Sequence, residues 1–198
     1  EKMRQIEQLL TLVRKTTTDE TFAGIRDAAT ISIIITAFLS AKEIAELRLE
    51  HLSIYPNTIL VKTNKKVRRI IPLSEMLYAP IITYLKRLKE LGVSKEAKFY
   101  FDTCKESSTT DRIRKMLKRR CKEAGVPSYT PTELRQISLV YSLNKACTLQ
   151  EALAIMVNSG FVFVSSIADK FGFSDSEKLN SILAKYCKRE RGNIHVER

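Results

Sequence analysis

Basic side chains are the most suggestive chemistry in this sequence. Seven lie within residues 112–122: Arg112, Arg114, Lys115, Lys118, Arg119, Arg120 and Lys122. Four more, Lys65, Lys66, Arg68 and Arg69, fall within five residues. Clustered guanidinium and ammonium groups suit a polyanion, and nucleic-acid phosphates are the commonest one that rewards them. The whole chain has the same bias: 34 Lys plus Arg against 22 Asp plus Glu give +12 over 198 residues. Ser40-Ala41-Lys42-Glu43 places a hydroxyl and a carboxylate at capping-box spacing, so a helix starts there. The free amides of such a start can also hold a phosphate. Metal chemistry is not indicated. Cys104, Cys121, Cys147 and Cys187 are far apart, with no CxxC pair, and His51 and His195 are the only histidines. Unpaired thiols of this kind fit a cytoplasmic protein.

These groups must be carried by elements that the apolar pattern defines. Met3, Ile6, Leu9, Leu10 and Val13 recur at helical spacing and predict a helix over 2–15. Residues 22–38 are nearly continuous in apolar character and predict a buried central helix. A short helix from the capping box runs through Arg48. Three β-prone runs follow at 53–55, 58–61 and 68–71, separated by Pro56-Asn57 and Thr63-Asn64-Lys65-Lys66, which predicts a small three-stranded antiparallel sheet. Further helices are expected at 74–91, closed by Gly92, at 110–124, ended by Gly125 and Pro127, and at 132–144, 148–158, 164–171 and 175–187. Lys98 to Phe101 reads as a short fourth strand or an extended connection. In the helix at 110–124, Ile113, Met116, Leu117 and Cys121 form one apolar stripe, and the basic residues occupy the remaining positions. Hydrophobic residues at 44% and charged residues at 28% fit a folded domain. The longest apolar run, Ile31 to Leu39, is far shorter than the roughly 20 residues of a membrane span, so no membrane partner is expected. The expected fold is mainly α with a small sheet, in one domain over 1–198.

The order of these landmarks resembles the catalytic domain of the tyrosine recombinases, or phage integrases. The resemblance runs from Arg26-Asp27 through Leu52, then through a sheet ending Ile70-Ile71-Pro72-Leu73, to Thr130-Pro131-Thr132-Glu133-Leu134-Arg135. It implies a tyrosine that attacks a DNA phosphodiester, two arginines on the non-bridging oxygens, a lysine that protonates the leaving oxygen, and histidines that assist proton transfer. Carried over residue by residue, it assigns catalytic roles to Arg135, Lys65 and Tyr186. It also shows substitutions. Ser40 stands where the family has its first arginine, Thr132 where its box has histidine, and Phe173 where a second histidine is usual. A serine cannot offer a bidentate cationic fork, and phenylalanine cannot donate a hydrogen bond. Losing one electrostatic donor costs roughly 10²–10³ in rate, and losing a general acid or base roughly 10²–10⁴.

The resemblance therefore implies a double-stranded DNA-binding protein with impaired or absent strand cleavage. DNA contacts are expected from Lys65, Lys66, Arg68, Arg69, Arg112, Lys115, Arg119 and Arg135. No cofactor and no metal are implied. A homo-oligomer through the basic C-terminal tail at 185–198 is expected, as is an N-terminal DNA-binding domain preceding Glu1. An alternative is an active site-specific recombinase that recruits Arg48 or Arg69 in place of the missing arginine. A further alternative comes from Ile167 to Asp175, which resembles the second helix-turn-helix of AraC-type transcription regulators and would make Ser176, Lys178 and Asn180 readers of base edges. A protein-interaction scaffold is the remaining alternative.

Overall fold

A computed structural model describes residues 2–55, 58–63, 67–72, 75–100, 108–145 and 155. Two compact units emerge, Glu1–Ser138 and Leu139–Arg198. Six helices and three strands are described: α1 (Lys2–Thr16), α2 (Phe22–Ala37), α3 (Ala41–Glu46), β1 (Leu52–Tyr55), β2 (Thr58–Thr63), β3 (Val67–Pro72), α4 (Glu75–Glu90), α5 (Thr109–Ala124) and α6 (Pro131–Lys145). A 3₁₀ turn at Leu49–His51 links α3 to β1. The helices expected at 148–158, 164–171 and 175–187 lie outside the described residues, apart from Ile155.

The core is built around α2. Ile31, Ile33, Ile34 and Ile35 are all buried, so this helix buries side chains around its whole circumference. Thr21 caps its start by accepting from the Gly24 amide. The other helices contribute one face each. From α1 come Leu9, Leu12 and Val13, from α4 Ile81, Tyr84 and Leu88, and from α5 Ile113, Met116, Leu117 and Cys121. Those spacings of three and four place each set on one side of its helix.

Aromatic groups tie α4 to the segment before α5. The buried Tyr84 hydroxyl donates to the Phe99 carbonyl at 2.7 Å. The two rings meet edge-on with centroids 5.3 Å apart. Phe99 in turn donates its amide to the Leu47 carbonyl, and Arg48 bridges Lys98 as an isolated antiparallel pair. Lys98 to Tyr100 is thus an extended connection laid beside the end of α3.

The strands pair in the order β1-β2-β3, both pairs antiparallel. Leu52 stands opposite Val61, and Lys62 opposite Arg68. Among the described residues no helix is long and apolar enough to cross a membrane.

Candidate phosphate-binding site

Arg135 is the centre of the candidate site. Thr130 and Pro131 begin α6, with proline at the first helical position, where its missing N–H costs nothing. Glu133 turns back onto this start. Its carboxylate accepts the Thr130 amide at 2.7 Å while its own amide donates to Thr130 Oγ1 at 3.2 Å. The Thr130 amide holds the Glu133 carboxyl below its usual range. This second capping box fixes the first turn of α6, and Leu134 anchors it in the core. Arg135 then leaves the helix half-buried and donates from Nε to the Phe38 carbonyl at 2.6 Å.

Phe38 shows why that carbonyl is available. It ends α2 in the left-handed region, at φ 51 and ψ 33. A bulky residue pays roughly 1–2 kcal/mol for that conformation. Burial of the ring and the bond from Arg135 both favour it. Two residues on, Ser40 begins α3 with a complete capping box. The Ser40 amide and hydroxyl donate to Glu43 Oε2 at 2.7 and 2.8 Å, and the Glu43 amide donates to Ser40 Oγ at 3.2 Å. The loop bearing Ser40 and the arginine of α6 are therefore brought together. Thr132 is exposed on α6.

The basic helix α5 differs from its sequence expectation at one position. Arg120, read as one of the surface cations, is 8% exposed. It lies three residues after Leu117 and four after Met116, so it shares their inward face. Its charge is met by acids. Nε donates to Asp27 Oδ2 at 2.9 Å, Nη2 lies 2.8 Å from Asp19, and Nη1 lies 2.9 Å from Glu123. Burial works against the charged form, but Asp19, Asp27 and Glu123 together hold the guanidinium above its ordinary pKa. Asp27 is fully buried and also receives Arg26 at 3.0 Å and Arg119 Nη2 at 2.6 Å. Arg26 lies over the Tyr100 ring, 4.6 Å from its centroid. Sequence reading missed this hub because its partners are 92 and 93 residues apart.

The other expected contacts are distributed as follows. Lys115 is exposed on α5, Arg119 is half-exposed beside Asp27, and Arg112 is half-buried with Nη2 donating to Thr109 Oγ1 at 3.2 Å. Arg68 and Arg69 are adjacent positions of β3. Arg48 is exposed and lies 3.8 Å from Glu50. Lys65, Lys66, Phe173, Tyr186, the helix-turn-helix match and the C-terminal tail lie outside the described residues. Among the described residues, no group of three His, Cys, Asp or Glu is placed to hold a metal ion.

Three solved recombinase structures share the fold at 16% sequence identity. A XerA recombinase aligns over 91% of this chain and 62% of its own, with a TM-score of 0.63. A XerH site-specific recombinase bound to palindromic difH substrate, a post-cleavage complex, aligns over 89% of this chain and 51% of its own, also at 0.63. The pre-cleavage XerH complex aligns over 96% and 52%, at 0.57. In sequence, the chain is 27% identical over 121 residues to "Putative integrase/recombinase y4gC" of Sinorhizobium fredii, covering 61% of this chain and 62% of that protein. The chain thus spans between about half and three fifths of the length of these relatives. Residues 2–156 match the family described as the Phage integrase family. The chain belongs to the phage integrase family.

Proposed function

We propose that this chain is a duplex DNA-binding member of its family in which strand cleavage is impaired or lost. The observation that carries the proposal is the state of the Ser40 loop. Arg135 reaches this loop, but where the family's first arginine would stand there is a serine whose amide and hydroxyl are both committed to Glu43. A single guanidinium then faces the work that two would share. The Glu43 carboxylate held at Ser40 disfavours, rather than neutralises, a phosphoryl dianion-like transition state there.

DNA binding rests on other features. The chain carries +12, α5 presents exposed Arg114, Lys115, Lys118 and Lys122, and the segment joining β2 to β3 carries Lys65 and Lys66. As the two XerH neighbours are complexes with their difH substrate, duplex DNA is the partner this reading assigns. The three-stranded sheet then serves as the support of a basic hairpin that reaches DNA, and Arg135, Lys65 and Tyr186 are the residual catalytic groups.

A nicked suicide substrate tests the proposal. Such DNA traps any 3′-phosphotyrosine adduct, and the expected result is salt-sensitive binding with no adduct above background. Adduct formation that disappears in Tyr186→Phe would show an active recombinase instead.

A further inference from the structure

Among the exposed cations of α5, Arg119 is distinguished by its anchor. Its side chain is 53% exposed, yet Nη2 sits 2.6 Å from a carboxylate that is fully buried. The same Asp27 oxygen also takes Arg120 Nε at 2.9 Å, and the other oxygen takes Arg26. Glu123 Oε1 is 3.7 Å from Arg119 Nε, beyond hydrogen-bonding reach, and the other oxygen of that carboxylate serves Arg120. Arg119 Nη1 has no partner among the described residues. Lys115, four residues before, and Lys122, three after, share this side of the helix and are exposed.

We propose that Asp27 is a positioning residue: from the core it aims the Arg119 guanidinium outward so that Nη1 meets a phosphate of bound DNA, flanked by Lys115 and Lys122. The inference deepens the DNA-binding reading and rests on it. A free arginine loses several rotameric degrees of freedom when it engages a phosphate, and a planar fork already held on one edge loses less. The carboxylate remains on one edge of the fork while the phosphate takes the other, so no partner exchange and no proton movement are required. Arg120, on the same oxygen, stays buried and keeps Asp27 in place.

Salt-dependent binding to a duplex oligonucleotide tests this with the full chain. Each phosphate contact contributes about 0.9 to the slope of log K against log salt. Arg119→Ala should reduce the slope by about 0.9, so its affinity deficit shrinks roughly 3.5-fold between 50 and 200 mM salt. Asp27→Asn should reduce the slope similarly when measured below its melting transition, and should add nothing in an Arg119→Ala background. A merely structural Asp27 would lower affinity equally in both backgrounds. Side-chain ¹⁵N relaxation on the unsubstituted chain gives a second measurement that does not need the Asp27 variant to fold: Arg119 Nε should be as ordered in the free protein as with DNA. An unchanged slope in Arg119→Ala, or a disordered Arg119 in the free protein, overturns this inference and leaves the DNA-binding reading standing. Absence of salt-dependent binding by the unsubstituted chain overturns both.

Discussion

Arg135 Nε donates to the Phe38 carbonyl at 2.6 Å, joining the start of α6 to the end of α2 across 97 residues. The bond uses one edge of a guanidinium to fix the backbone next to Ser40. It therefore gives Arg135 a structural role that is independent of any phosphate. Hydrogen bonds from charged donors contribute about 1.5–3 kcal/mol. Arg135→Ala is expected to lower unfolding free energy in urea by about that amount. Arg135→Lys is expected to recover only part of it, because an ammonium cannot reproduce the planar fork. Equal stability of the alanine variant and the parent would remove this role.

The capping box at Ser40 makes a second, local prediction. Ser40→Ala leaves the Glu43 amide without its acceptor and should cost about 1 kcal/mol, within the usual range of about 0.5–2. Glu43→Ala removes the reciprocal bonds. Since both halves belong to one box, the double variant should lose less than the two single losses together. A double-mutant cycle in denaturant measures that coupling, and strict additivity would mean that the two residues cap independently.

Asp27 carries a larger share of stability. Three guanidinium groups converge on one buried carboxylate, so Asp27→Asn leaves Arg120 in the core with less compensation. Removing one partner from a buried ion pair typically costs about 3–5 kcal/mol. In a chain of this length that corresponds to a melting-temperature drop on the order of 10 °C. A drop under about 2 °C, read by calorimetry, would indicate that Asp19 and Glu123 alone suffice for Arg120.

What was legible in the sequence follows from the range of the interactions. The stripe Ile113, Met116, Leu117 and Cys121 is a local pattern, and all four residues are buried as the spacing predicts. The Ser40–Glu43 box is equally local and is present in full. Arg120 was misread because composition alone makes an arginine in a basic run look solvated. Only Asp27 and Asp19, more than ninety positions away, make its burial tolerable. The box at Thr130 and Glu133 could have been found, since its threonine and glutamate stand three apart before an apolar pattern. The approach of Arg135 to Phe38 had no local signal, because it depends on the end of α2 turning through a left-handed residue. The family resemblance aligned both segments without showing that they touch.

Gly24 reverses a common rule. Within a helix, Gly to Ala usually stabilises by up to about 1 kcal/mol. Here a Cβ on Gly24 would overlap the backbone oxygen and carboxyl of Asp19, which the Thr21 amide and hydroxyl hold against the start of α2. Backbone cannot yield as a flexible side chain can. Gly24→Ala is expected to destabilise by about 1–3 kcal/mol, the usual cost of overpacking. A gain in denaturation midpoint would show that the turn at 17–21 shifts freely.

Asp19 gives the fold a defined acid response. The Thr21 hydroxyl, then Arg120, then the Thr21 amide lower its pKa from 3.8 to about 2. The folded form therefore binds its proton less readily than the unfolded chain. Between the unfolded value and about 2, the unfolded state holds more protons, so stability rises with pH in that window. The contribution is complete above pH 4 or so and is lost as pH falls through about 2. Asp19→Asn removes the titrating group and should flatten that part of the profile, while lowering stability at neutral pH through the lost Arg120 pair. Urea unfolding at several pH values between 2 and 5 would show the two curves converging at the acid end. Parallel curves over the whole range would mean that Asp19 contributes nothing that depends on its charge.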